Sequence, residues 1–253
     1  MTTERKINFL IGYVCLLTTA CAGFAIHTLK GSASADKARF REIDVERLNV
    51  IEKNGRPRFI FSNEAQDPGW IVRGKEIPGR AKRARMLFFN DDGEEAGALA
   101  FSGQRGPDGV AMAGGGLLFD KYDGDQLLWL VYEDFDAEKG KVRAGLTIRD
   151  IRQGVPTLAE MVAPKLLPDG AERAAAQSGV DAKMKAARGY GAHRLFVGRD
   201  LNGDALVRLS DAQGKPRLCM KVDNDGHPSI EFLDAAGGVI SRITGETETG
   251  ASR

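Results

Sequence analysis

The chain has 253 residues, 42% hydrophobic and 28% charged, with a formal net charge of +1. That balance excludes a strongly basic nucleic-acid binder and an acidic disordered tail, and the length suffices for one sizeable core or two small ones. The 31 glycines favour a turn-rich protein, and of the cysteines Cys15, Cys21 and Cys219 only the last lies beyond the N-terminal apolar stretch, which excludes a disulfide scaffold.

An uncharged run, INFLIGYVCLLTTACAGFAIHTL, extends from Ile7 to Leu29 behind Arg5 and Lys6. A bilayer core of about 30 Å needs about 20 apolar residues as helix, so this run is long enough to span. Three readings fit it: an uncleaved anchor, a cleaved signal peptide and a lipoprotein signal. Ala33-Ser34-Ala35 resembles a small-x-small cleavage site but lies far beyond the run. Cys21 follows Ala20, as lipidation requires, but Thr18 stands where lipoprotein signals carry Leu, and the apolar character continues through Phe24 and Ile26. The preferred reading is a single-pass transmembrane or signal-anchor segment over residues 1–30, which makes the cell membrane the first expected partner. Lys30, Lys37, Arg39 and Arg41 behind the run would hold the large domain in the cytoplasm by the positive-inside rule. The extreme N-terminal position argues for export, and an extracytoplasmic domain is expected.

A short linker, residues 31–38, leads into a β domain expected over residues 39–245. Leu48 and Val50 alternate with polar neighbours, Asn54-Gly55 forms a tight turn, and Phe59 and Phe61 alternate again. Asn-Gly between alternating runs is a strong hairpin signal. Further strand signals are Leu87/Phe89, the turn from Asn90 to Gly93, Leu99/Phe101, Leu117/Phe119, LLWLVY from Leu127 to Tyr132, and Val142 to Ile148. Residues 157–188 change character: TLAEMVAPKLL and AERAAAQSGVDAKMKAAR are rich in helix formers and predict a short helical insertion. Strands resume at Leu195. Gly203, Gly214, Gly226 and Gly237 then recur at intervals of 11, 12 and 11 residues, one strand and one reversal per interval. The pattern predicts a mainly β fold, an antiparallel meander of about twelve strands. A barrel, a sandwich and one curled sheet all remain open. Residues 246–253 read as a flexible tail.

Asp200, Asp204, Asp211, Asp223, Asp225 and Asp234 raise the question of a metal. An EF-hand loop needs a bidentate Glu at its twelfth position and flanking helices; counted from Asp200 that position is Asp211, and from Asp223 it is Asp234. Asp and Asn also turn the chain by accepting nearby backbone N–H groups, with Gly supplying positive φ, and this is the preferred reading. No metal ligand set and no cofactor is therefore expected. His27, His193 and His227 are too scattered for zinc. A Cys219 nucleophile paired with His193 or His227 is formally open, but Cys219 alternates between Leu218 and Met220 as a strand residue. The glycines of AGGG (Ala113 to Gly116) lack the helix and Lys of a phosphate loop. Acidic pairs such as Glu133 and Asp134 could serve a glycosidase only if the fold made carboxylates face each other.

The segment EAQDPGWIVRGKEIPGRAKRA, residues 64–84, reads as a long connection without structure, and such connections are often functional. It carries Trp70 with Arg73, Lys75, Arg80, Lys82 and Arg83, and Arg85 follows. Basic residues beside an exposed aromatic suit an anionic lipid, a glycan or a protein partner, with no specific nucleic acid expected. The competing reading is a solvated loop whose Trp70 enters the core.

REIDVERLNVIEKNGRPRFIFSN, ARMLFFNDDGEEAGALAFSG and RLFVGRD resemble segments of a group of uncharacterised bacterial membrane-anchored proteins. These carry an N-terminal apolar segment and β-hairpin units with D-x-x-G turns. The resemblance implies architecture from Phe40 to Ile243; the group has no assigned activity, so no functional residue is carried over. The expected function is a binding or scaffolding module of the cell envelope. The alternative is an envelope hydrolase, glycan- or ester-directed, whose catalytic residues converge only in the fold.

Overall fold

The computed structural model describes residues 5, 13–14, 16–19, 37–136 and 139–245. The chain divides into two compact units, Met1–Asp44 and Val45–Arg253. The predicted span over residues 7–29 lies largely outside the described residues, as do most of the linker and the C-terminal tail. Among the described residues no helix is long and apolar enough to cross a membrane.

The second unit is mainly β. Its strands are β1 (Arg47–Ile51), β2 (Pro57–Ser62), β3 (Trp70–Val72), β4 (Lys75–Ile77), β5 (Arg85–Phe89), β6 (Glu95–Arg105) and β7 (Ala111–Asp120). They continue with β8 (Gln126–Asp134), β9 (Val142–Arg149), β10 (His193–Arg199), β11 (Ala205–Ser210), β12 (Pro216–Val222), β13 (Pro228–Leu233) and β14 (Val239–Thr244). Between β9 and β10 lie α1 (Leu158–Val162), a 3₁₀ turn (Ala163–Leu166) and α2 (Ala171–Ala186), within the predicted helical insertion. Thr157 caps α1 in a reciprocal box with Glu160, each side chain accepting the other residue's backbone N–H.

All strands but β3 and β4 form one antiparallel sheet of twelve, in the order β1-β2-β5-β6-β7-β8-β9-β10-β11-β12-β13-β14. Its outer strands β1 and β14 are not joined, so the barrel reading is corrected: the sheet is open. Nearly every strand lies beside its chain neighbour because the turns are local and tight. At Asp223, Oδ1 accepts the N–H groups of Asp225 (3.0 Å) and His227 (2.9 Å), while Gly226 takes φ +92° to complete the reversal. Asn90, Asp200, Asp211 and Asp234 accept the N–H groups two and four residues on in the same way.

The two faces of the sheet differ. Directly paired residues point to the same side. One paired row runs Leu48, Phe61, Met86, Leu99, Leu117 and Leu130 across the first six strands of the sheet. It continues through Leu146, Val197, Val207, Met220, Ile230 and Ile243 across the last six. Every strand of the sheet thus gives this row an apolar side chain, and none of the twelve is buried.

The opposite face holds the core. Ile60, Leu87, Phe89 and Ala98 pack there against Ile71, with Leu118 at the margin. Ile71 comes from the hairpin β3–β4, which corrects the expectation that residues 64–84 form a structureless connection outside the core. Val72 and Ile77 of the hairpin in turn bury against Val162 of α1, with Trp70, Leu158 and Ala159 packed around them. Hairpin and helical insertion together roof one half of this face. On the other half the face is polar: Arg208, Cys219, Glu231 and Arg242 follow one another across β11 to β14, with a Glu231–Arg242 ion pair at 2.7 Å.

Candidate functional site

The predicted basic segment disperses once folded. Arg85 is interior: its Nη2 meets Asp67 Oδ2 at 2.6 Å, with the two side chains 5% and 0% exposed, and also donates to the Ala81 carbonyl. Burial lowers the pKa of Arg85, as does the nearby Arg80 charge, and the Asp67 carboxylate opposes both. Arg85 and Asp67 therefore hold the segment down and are closed to an outside partner. Arg73, at the tip of the hairpin with φ +50°, pairs with the buried Glu94 at 3.5 Å. Lys75 and Arg83 are exposed, as is Lys82, whose Nζ donates to the Ala65 carbonyl at 2.8 Å. Lys82 and Arg83 line an open groove beside Phe101, Met112 and Phe135. Trp70 is half-buried, and Lys165 Nζ lies 4.7 Å from its ring centroid.

Two of these residues, Trp70 and Arg80, share a cleft with residues that the sequence hides. A cavity of about 220 Å³ opens where the hairpin and the helical insertion meet the sheet. Its lining includes Trp70, Arg80, Glu95, Asp120, Lys165 and Tyr190. Each element places its residue for a local reason. Glu95 opens β6 after the turn at Asn90, Asp120 ends β7 before the turn at Asp123-Gly124, and Tyr190 follows the end of α2. The 3₁₀ turn presents Lys165, and packing of Val72 and Ile77 on α1 brings Trp70 to the rim.

Charge in the cleft is partly satisfied. Arg80 grips Glu95 with both guanidinium nitrogens, at 2.6 and 2.9 Å, in a forked pair whose carboxylate is 6% exposed. Burial disfavours the Arg80 charge, and the surrounding carboxylates, Glu95 first and then Asp67 and Asp120, together more than offset that, leaving its pKa raised. Asp125 is held by Arg149 at 2.8 Å, and the Arg149 guanidinium lies over both Trp129 and Tyr190, 5.4 and 5.3 Å from their ring centroids. Tyr190 donates its hydroxyl to Met161 Sδ at 3.0 Å. Asp120 stands apart: its Oδ1 is buried without a hydrogen-bond partner. Burial, then the charges of Glu95 and Asp125, push its pKa up to about 7. Near neutral pH this carboxyl is shared between an acid that can donate and a carboxylate that can accept, facing a cleft with aromatic walls.

The other candidates resolve into structure. Asp223, Asp225 and His227 bring possible ligand atoms within 4.8 Å of one another. Asp223, however, spends Oδ1 on two backbone N–H groups and Oδ2 on His227 Nδ1 at 3.2 Å, which is the work of a turn. Those backbone bonds lower its pKa. Asp211 and Asp234 are lowered likewise, by the N–H groups of Lys215 and Gly238 first. Cys219 is buried between Arg208 and Glu231 on the neighbouring strands, and burial raises its thiol pKa, the reverse of an activated nucleophile. His193 stacks edge-on against Trp129, with ring centroids 5.3 Å apart. Glu133 pairs with Arg143.

Sequence reasoning missed Glu95, Asp120, Lys165 and Tyr190. The available signal was GEEAGALAF, where two acids begin an apolar strand and Glu95 must turn one carboxylate inwards. Comparison of the chain with protein-family models, with curated proteins and with solved structures returns no match.

Proposed function

We propose that the protein is a membrane-anchored, β-rich binding module of the cell envelope, and that the cleft under the hairpin is its ligand site. The observation that carries this reading is Asp120, whose Oδ1 is buried without a hydrogen-bond partner in a cleft that Trp70 and Tyr190 also line. Leaving such a group unpaired costs stability, so a ligand that supplies the missing bond is favoured there. At about 220 Å³ the cleft is smaller than the roughly 300–1,000 Å³ of sites for drug-sized ligands, which limits the occupant to a small group. Trp70 and Tyr190 offer apolar surface with polar tips, Asp120 takes a hydroxyl or amide, and Lys165 stands at the rim. That combination suits one ring of a glycan, whose apolar face can lie on an aromatic while its hydroxyls bond.

The test is tryptophan fluorescence of the full-length protein titrated with neutral and N-acetylated mono- and disaccharides. A saturable change lost in Asp120→Ala supports the reading; no change with any of these sugars at millimolar concentration overturns it. A glycan hydrolase is the second reading, favoured by one observation: an acid poised near pH 7 shares a cleft with Glu95. Glu95 is already clamped by Arg80, which weakens it as a nucleophile or base. Turnover of a bound sugar that disappears in Asp120→Asn while binding persists would favour the hydrolase.

A further inference from the structure

We infer that the apolar face of the sheet is covered by a second copy of this chain, packed face to face. The inference goes beyond the ligand reading and stands independently of it. The apolar row crosses all strands of the twelve-stranded sheet without a polar interruption. A second row beside it, from Val50 and Phe59 through Phe119 and Leu195 to Phe232, ends at Ser241 and also carries no charge. These side chains are bare: Phe59 is 42% exposed, Leu130 53%, Met220 44% and Ile243 57%.

With strands about 4.8 Å apart and about 3.3 Å per residue, the two rows cover roughly 50 by 15 Å, or roughly 750 Å². The largest apolar patch on a typical monomer is about 300–600 Å². Two such faces brought together bury roughly 1,500 Å², within the range of about 1,200–2,000 Å² for a specific interface. Stacked sheets pack about 10 Å apart with interdigitating side chains, and a two-fold axis through this surface closes the assembly at two copies. The rows offer no Lys or Arg for anionic headgroups, so the chemistry favours another apolar sheet over a lipid surface.

The test is the mass of the full-length protein in a mild non-ionic detergent, by sedimentation equilibrium with the detergent contribution matched out. The expected mass at micromolar concentration is twice the 27.3 kDa of one chain. Leu130→Glu and Met220→Glu should each give single chains with unchanged circular dichroism, because neither side chain is in the core. If either variant fails to fold, Leu130→Ser or Met220→Ser replaces it, with self-association weakened by about tenfold or more. A single-chain wild type overturns the inference, as does a folded variant that associates as tightly as wild type. A single-chain wild type that also floats with neutral phosphatidylcholine vesicles better than the variants do overturns it by assigning the face to lipid.

Discussion

Strands β2, β5 and β6 bury Ile60, Leu87, Phe89 and Ala98 beneath the hairpin, whereas among the hydrophobic residues of β10 to β14 only Leu206 and Cys219 are buried. Both regions have the same backbone ladder and the same kind of turn. They differ in what covers the sheet. The first region has a roof built from its own chain; the second has salt-bridged side chains on one face and bare apolar side chains on the other. A ladder of hydrogen bonds contributes little net stability by itself, so the energetics of the unit concentrate where a second layer is present.

Four perturbations probe that contrast, in order of expected size. Asp67→Ala leaves Arg85 charged and buried without its partner and should cost about 3–5 kcal/mol in denaturant unfolding. A cost under about 1 kcal/mol would mean that the roof is not pinned by this pair. Ile71→Ala opens a cavity between hairpin and sheet and should cost about 3 kcal/mol, while Met220→Ala on the bare face should stay within about 1 kcal/mol in single chains. Equal losses at the two positions would erase the distinction between the regions.

The third perturbation is pH. Asp120 holds its proton in the fold to about pH 7, well above the ordinary Asp value of 3.8, so the folded protein binds more protons than the unfolded chain between these values. Stability from this group is therefore full below about pH 4 and is lost as pH rises through about 7. A shift of this size, discounted for the open mouth of the cleft, corresponds to about 2 kcal/mol. Asp120→Asn should remove that slope, seen as a melting temperature that changes less than wild type from pH 5 to pH 8. An unaltered slope would show that Asp120 is solvated. Smallest is Asp211→Ala, which removes the carboxylate oxygen that accepts two N–H groups of one turn in the bare region and should cost about 1 kcal/mol in thermal melts. A loss of several kcal/mol there would mean that the turns, and not the roof, carry the unit.

Much of the sheet was legible in the sequence because its signals are local. Alternation marks one face of each strand, and Asp or Asn before Gly marks each reversal; Leu218, Met220 and Val222 between Asp211 and Asp223 are readable without knowing any other part of the chain. The helical insertion was legible for the same reason, through its run of Ala, Lys and Glu. The hairpin β3–β4 was not: its three-residue strands are too short to alternate, and Pro68, Gly69, Gly74, Pro78 and Gly79 around them read as loop. The cleft was least legible. Glu95, Asp120, Lys165 and Tyr190 come from separate elements, and in sequence Asp120 looks like any acid before a turn. Arg80 and Arg85 looked like free cations because their partners, Glu95 and Asp67, are fixed only by the fold.

The strand order carries a consequence for how the molecule reaches this state. Apart from the crossings over the hairpin, between β2 and β5, and over the insertion, between β9 and β10, each strand of the sheet pairs with the strand that follows it in the chain. Pairings of this kind close short loops, which keeps contact order low for an all-β unit and favours rapid formation. The sheet should therefore grow from both sides of these two crossings, hairpin by hairpin. The slow events should be the closures that bring residues 64–84 and the insertion onto the face already formed, and hydrogen exchange during refolding should show β11 to β13 protected before Ile71 and Val162.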